Sequence, residues 1–428
     1  MQKFHFNSIH KRGINHLGEV KFHNNKKLST PLCWFGLSII ESNDFQEKVF
    51  QETRIEAFLS NAYDLYYNPH PSKRKELIEN LKNLGIIHKM DSGGFQLMKS
   101  KMKGNAEKFP LSQIMVIKKQ LEVDCECGVQ LDFPFGPNLK KGEKFSRLDK
   151  TIENLEKALN YINKLNLSFS ILPVIHTTSD DLELLFYGLE KIKEIIGEYP
   201  KVIGIGSLVP LVKTVKGSRK NGIENFIYSL ISLRKMLPNS FIHAFGIGGT
   251  MAYLAILAGI DSYDSNGWIQ KSAFGVIQLP GISDRFLKKE SHNRPYLIKN
   301  RNQRSCKESI NEIDIFMKCK CSACKPFFKE DWKENDWKRK QKAFHGRDEN
   351  SRLLRAIHNV SLYQNEIYEI REAIKNDNLL DFIKNRLRFS IYFKYIEFIE
   401  NLKRKEIDEL NNFNELINIQ KKKGKHYS

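Results

Sequence analysis

The sequence predicts an α/β protein built as a (β/α)8 TIM barrel, on two observations. Eight short apolar or β-branched runs recur along the first 265 residues, and the stretches between them carry mostly helical periodicity. After Lys288 the pattern breaks into a polar linker, a cysteine cluster and then long helical periodicity, so a second module follows the first. Strand–helix alternation suits a closed barrel, but a doubly wound open sheet shares it and stays open at this level.

The eight runs begin at Leu32 (LCWFGLSII), Ile55 (IEAFLS), Gly85 (GIIHKM), Gly128 (GVQLDF), Phe169 (FSILPVI), Lys201 (KVIGIGSLV), Phe241 (FIHAFGI) and Gly259 (GIDSYD). Between them lie amphipathic segments such as SKRKELIENLKNL and KTIENLEKALNYINKL. From about Asn350 onward the chain reads as helix, and it ends in the basic KKKGKHYS. The expected organisation is a barrel over 1–290, a metal-binding subdomain inserted over 291–360, and over 361–428 a helical extension that completes the barrel and carries a basic tail.

With 428 residues and 41% hydrophobic side chains there is material for a large core, which excludes a disordered chain or a disulfide-stapled miniprotein. Lys and Arg number 69 against 50 Asp and Glu, a formal charge of +19 that predicts a polyanionic partner. No apolar run approaches the ~18 residues of a membrane span, and the N-terminus lacks the continuous apolar core of a secretory signal. A cytoplasmic protein bound to nucleic acid rather than to membrane is expected.

If the runs are barrel strands, their C-terminal ends carry the site. Those ends present Asp91, Asp132, His176, Gly206 with Ser207, Phe245 with Gly246, and Asp264. Each alone has a plain alternative as a cap or turn residue; together they put three carboxylates and an imidazole at one mouth. The segment Asp91-Ser92-Gly93-Gly94-Phe95-Gln96 joins an acid, two glycines that let backbone approach a ligand, an aromatic face and an amide, a set suited to a planar heterocycle. The glycine stretches at Gly204 and Gly246 lack both GxGxxG spacing and a Walker lysine, so exposed amides holding a base carbonyl fit them better than a phosphate loop.

Cys319, Cys321 and Cys324 place three thiolates within six residues, and one imidazole would complete a tetrahedral Cys3His zinc site. His345 and His358 both lie downstream as candidates. Four protein ligands leave no open position for water, so the zinc expected is structural. The other cysteines read as buried free thiols.

Taken together these motifs resemble the queuine/archaeosine-type guanine transglycosylase family. Asp91-Ser-Gly-Gly-Phe-Gln96 matches its most characteristic motif, and Ser60-Asn-Ala-Tyr-Asp-Leu65 is similar to its Asn-Thr-Tyr-His-Leu segment. Val129-Gln-Leu-Asp-Phe133, Ile205-Gly-Ser-Leu-Val-Pro210 and Tyr263-Asp-Ser265 resemble its base-reading strand, its glycine strand and its nucleophile segment. Cys319, Cys321 and Cys324 with Ile357-His-Asn359 match its zinc signature, which favours His358 as fourth ligand.

The resemblance implies the closed barrel and exchange of guanine for a 7-deazaguanine base in nucleic acid. It implies Asp264 as nucleophile at C1′, through a covalent sugar ester, and Asp91 as general acid/base. It further implies Asp132 accepting from the N1–H and amine of the ring, Gly206 and Ser207 amides holding the ring carbonyl, and Phe95 and Phe245 sandwiching the base. Ser92, Gln96, His176 and Gly246 complete the expected binding set.

The chain departs from the family where His176-Thr-Thr178 stands in place of its usual Gln-Gly-Gly, and from the bacterial tRNA enzymes where Asn266-Gly-Trp follows the nucleophile in place of Pro-Thr-Arg. No archaeal-type RNA-binding domain is recognisable in the C-terminal extension. These departures incline the reading towards DNA, as in a divergent branch of the family, with tRNA as the alternative. A second copy of the chain and DNA-opening proteins are compatible partners, since a base in duplex has to be flipped out before C1′ is attacked. A non-catalytic zinc-containing nucleic-acid-binding protein is the competing class.

Overall fold

The computed structural model describes residues 4–94, 111–136, 139–177, 182–212, 221–289, 294–299, 301–303 and 306–406. A three-stranded antiparallel sheet comes first: β1 (His5–Arg12), β2 (Asn15–Lys21) and β3 (Lys27–Thr30). The eight apolar runs then form one parallel sheet: β4 (Leu32–Gly36), β5 (Ala57–Asn61), β6 (Ile87–Asp91), β7 (Cys127–Val129), β8 (Ile171–Leu172) with β9 (Val174–His176), β10 (Val202–Gly206), β11 (Phe241–Ala244) and β12 (Ser262–Ser265).

The sheet is a barrel rather than an open doubly wound array. β4 pairs with β5 on one side and β12 on the other, so first and last strands meet. The fifth run is cut by Pro173, which has no N–H for the ladder. Its first half pairs with β7 and its second with β10, and the Gln130 side chain bridges the break by accepting from Val174 N at 3.2 Å. Strands covered by helices outside and packed inside read as continuous apolar runs, which is why these were visible in the sequence.

The N-terminal sheet was not foreseen. Its Phe4, Val20, Phe22 and Leu28 join Leu32, Trp34, Ala57, Ile87, Val202 and Phe241 in one interior cluster. Phe4 stacks on Phe22 at 5.2 Å and meets Phe241 edge-on at 5.4 Å. The sheet therefore plugs the barrel at the end where the strands begin, leaving the other end for a site.

Beyond β12 come two hairpins, β13 (Val276–Leu279) with β14 (Ile282–Phe286) and β15 (Arg301–Gln303) with β16 (Cys306–Ile310), then the Glu312–Met317 and Glu334–His345 helices. The long Glu349–Lys375 helix packs on the Asn43–Thr53 and Gly267–Ala273 helices and on β4 and β13. It thus covers the barrel between its eighth and first strands. Asp348 caps it by accepting from Ser351 N at 2.9 Å. Among the described residues no helix is long and apolar enough to cross a membrane.

Candidate active site and metal centre

Successive inward positions on a barrel strand are two residues apart. On β6 the inward series is Ile87, Lys89, Asp91; on β11 and its continuation it is Phe241, His243, Phe245; on β12 it is Ser262, Asp264. The mouth thus carries Asp91, Phe245 and Asp264, joined by His176 at the end of β9, Gly206 at the end of β10, and Asp132 and Ser207 just beyond β7 and β10. The strand ends singled out in the sequence do converge. Phe95 and Gln96 lie outside the described residues.

The two carboxylates live in opposite environments: Asp264 is buried and Asp91 half-buried. Asp264 Oδ1 accepts from Gly246 N at 2.8 Å, and Oδ2 lies 2.9 Å from His243 Nε2 and 3.7 Å from Lys89 Nζ. Burial alone would raise its pKa, but the His243 hydrogen bond, the Lys89 charge and the Gly246 amide outweigh it and hold the carboxyl below the usual range. Among the described residues Asp91 receives one hydrogen bond, from the Ser92 N–H to Oδ1 at 2.8 Å. Burial first, then the charges of Asp132 and Asp264, push its pKa up to about 7, with Lys89 opposing.

Asp132 is positioned by Ser92, whose hydroxyl donates to Oδ1 at 3.1 Å and accepts from Gly94 N at 3.1 Å. A Cβ on Gly94 would stand 2.3 Å from that same oxygen, so only glycine permits the approach. His176 is fully buried; its Nδ1 lies 3.1 Å from Ser207 Oγ and its Nε2 3.4 Å from Asp132 Oδ2. Ser207 Oγ also accepts from Phe135 N at 2.8 Å, and Ser207 holds φ of 63°, an uncommon left-handed conformation outside glycine. Among the described residues His176 Nε2 makes no hydrogen bond, a buried atom left turned towards Asp132. Gly246, expected among ligand-binding residues, turns its amide to Asp264 instead.

Lys89 and His243 were missed. Lys89 is 1% exposed, with its Nζ 2.6 Å from His243 Nε2. His243 Nδ1 lies 2.7 Å from Ser262 Oγ, and burial, then Lys89, depress its pKa to about 4. The signal that could have found both is the period of two, counted down from Asp91 and Phe245.

The cysteine cluster lies apart from the mouth, under the second module. The Sγ atoms of Cys319, Cys321 and Cys324 are 3.5, 3.7 and 3.4 Å from Nδ1 of His358. A tetrahedral zinc with its ordinary bond lengths to sulfur and nitrogen sets that edge at about 3.5 Å, so the four atoms fit the ion. His358 Nε2 meets Gln278 O at 2.9 Å, fixing the ring by its second nitrogen. Asn359 clamps the same strand, accepting from Gln278 N at 3.0 Å and donating to Val276 O at 3.2 Å. His358, and not His345, is the histidine in the metal-holding group found among the described residues.

Fold and site define a (β/α)8 barrel protein with a carboxylate-lined mouth and a Cys3His cluster able to hold zinc. Residues 12–390 match the family model described as Queuine tRNA-ribosyltransferase, so the chain belongs to that family. It is 24% identical over 387 residues to a tRNA-guanine(15) transglycosylase of Pyrococcus abyssi, covering 88% of this chain and 55% of that protein. Proteins of the same description from Thermococcus kodakarensis and Methanosphaera stadtmanae are 25% identical over 84% of the chain and 27% over 77%, covering 54% and 41% of their own lengths. The chain spans about half the length of these curated relatives.

Proposed function

We infer that the protein exchanges guanine for a 7-deazaguanine base in a polynucleotide. One observation carries the reading: at a single barrel mouth the Gly246 amide, His243 and Lys89 surround Asp264, whereas Asp91 receives the Ser92 N–H and has two carboxylates near it, so the first carboxyl is driven towards its anion and the second towards its acid. Two carboxylates driven apart in this way suit a nucleophile and a general acid/base. An Asp264 oxygen attacks C1′ of the target nucleoside, the C1′–N9 bond breaks, and Asp91 gives its proton to the departing guanine. The incoming base then yields its ring N–H proton to Asp91 as that nitrogen attacks C1′, and the Asp264 ester oxygen leaves with its electron pair. Two displacements retain the sugar configuration.

Asp132 accepts from the N1–H and exocyclic amine of the ring, its position fixed by Ser92. His176 reads the ring carbonyl. Ser207 Oγ lies 3.1 Å from His176 Nδ1, and with the hydroxyl as donor there the ring carries its hydrogen on Nε2, beside Asp132. Gly206 and Ser207 amides assist, Phe245 covers a face of the ring, and Gly246 acts through Asp264, whose Oδ1 accepts from its amide. Cys319, Cys321, Cys324 and His358 hold a zinc whose part is structural, tying the second module to β13. The barrel over 1–290, zinc subdomain over 291–360 and C-terminal extension over 361–428 remain the proposed organisation.

The charge of +19 supports a phosphate backbone as the partner. DNA is the polymer proposed, on the replacement of Gln-Gly-Gly by His176-Thr-Thr178 and of Pro-Thr-Arg by Asn266-Gly-Trp268. The similarity to tRNA-guanine(15) transglycosylases favours a second reading, exchange on tRNA. Incubation of the purified protein with labelled 7-deazaguanine bases and each polymer decides between them. A denaturation-resistant adduct with DNA that disappears in Asp264→Asn is expected; label entering tRNA alone overturns the choice of polymer, and adduct in the variant overturns the mechanism.

A further inference from the structure

One layer below the mouth, the barrel interior holds a second polar group that the base-exchange steps above do not use. Lys89, His243 and Ser262 lie two residues before Asp91, Phe245 and Asp264, and beneath them on β6 and β11 come only Ile87 and Phe241. The Lys89 ammonium is set among the faces of Trp34 at 4.9 Å and Phe245 at 5.3 Å, with His243 Nε2 at 2.6 Å and Asp264 Oδ2 at 3.7 Å. A buried cation is costly, and well-packed apolar replacements of such groups are often neutral or stabilising. Among the described residues Asp264 has no other lysine or arginine contact, and an ammonium set directly under it points to work on that carboxylate.

We propose that Lys89, acting with His243, is a positioning residue that holds Asp264 as an oriented anion and favours return of that anion when the sugar ester breaks. The Gly246 amide donates to one carboxylate oxygen, the other lies 2.9 Å from His243 Nε2 and 3.7 Å from the Lys89 ammonium that donates to that nitrogen, and Ser262 Oγ meets the far nitrogen of His243. Formation of the C1′–O bond removes the negative charge and leaves the Lys89–His243 cation without its partner. Cleavage of that bond by the incoming ring nitrogen returns the electron pair to the Asp264 oxygen and restores the pairing, with no proton leaving Lys89. The titratable groups that face Lys89 are Asp264 from β12, Cys127 from β7, Asp91 from β6, Cys33 from β4 and His243 from β11.

The inference rests on Asp264 as nucleophile, and the test separates the two. Lys89→Met is expected to melt no lower than the parent, to lose about 10- to 100-fold in kcat with KM for the polymer within about twofold, and to move the acid limb of kcat/KM up by about one pH unit or more. Ser262→Ala should move that limb the same way by less. A purely structural lysine would lower the melting temperature and leave the limb in place. If Lys89→Met does not fold, an unmoved limb in Ser262→Ala overturns the proposal. An unmoved limb in both variants, with Asp264→Asn inactive, overturns the role of Lys89 and leaves Asp264 as nucleophile; exchange surviving in Asp264→Asn overturns the role of Asp264 itself.

Discussion

The protein carries two buried clusters of polar side chains, and they are finished to different degrees. Around His358 each ligand atom converges on one centre, the second ring nitrogen is hydrogen-bonded, and Phe316 and Phe344 pack against the imidazole. At the barrel mouth, among the described residues, His176 Nε2 has no hydrogen-bond partner, and Asp91 has one hydrogen bond from its neighbour and two like charges near it. A structural cluster is closed on itself, whereas a reactive one is left to be completed by what binds. Substitutions should therefore separate activity from stability in opposite senses at the two places.

Asp264→Asn gives the largest effect. Base exchange should fall by at least about 10³-fold, as on loss of a covalent nucleophile, while metal content and melting temperature stay near those of the parent. Elemental analysis and calorimetry of the same preparation check this; a lost metal or a collapsed fold would blur the distinction between the clusters. Cys324→Ser is the converse. It should lower zinc from one per chain towards none and destabilise by on the order of 4 kcal/mol, since an incomplete thiolate set leaves buried charge uncompensated. Activity per folded molecule should persist, because the cluster lies apart from the mouth.

Asp91→Asn tests the mouth's intermediate character. The folded-state pKa of Asp91 is raised from 3.8 to about 7, so its ionisation works against the fold, and stability tied to the neutral form is lost as pH rises between those values. The variant should gain stability on the order of 2 kcal/mol above pH 7, little below pH 4, and should lose exchange throughout. Denaturant midpoints measured across that range read the first part. A gain that does not depend on pH would mean that the carboxyl is not held towards its neutral form.

The barrel and the positions of its catalytic candidates were legible because both follow from period and place. Strands buried on both faces are apolar runs, and strand ends in this fold point to the mouth, so the places of Asp91, His176 and Asp264 at that mouth follow from the sequence itself. The N-terminal plug was not legible. β1 shows mainly exposed and half-exposed residues, and its purpose depends on Phe4, Val20 and Phe22 meeting Leu32 and Phe241 from other strands. Lys89 and His243 were hidden for a related reason: a lysine and a histidine inside apolar runs look like local exceptions until β6, β11 and β12 are neighbours. The cysteine spacing identified three ligands, but the choice between His345 and His358 needed the long helix to bring one of them to the thiolates.

His176→Gln carries the smallest and most specific effect. The position is fully buried, and Ser207, on the neighbouring strand end, fixes Nδ1, so the imidazole is oriented by the same residue whose backbone borders the pocket. A glutamine amide can donate to a ring carbonyl as Nε2–H does, but its longer, flexible arm loses the Ser207 contact and its orientation. Exchange with the preferred base should fall about tenfold, while discrimination against bases that carry an amine in place of the ring carbonyl should shrink by a similar factor. Competition between two labelled bases measures that ratio directly. If the ratio stays fixed while total rate falls, His176 serves the packing of Ser207 and Phe135 rather than the reading of the base, and the unpartnered nitrogen is a tolerated cost of the barrel wall.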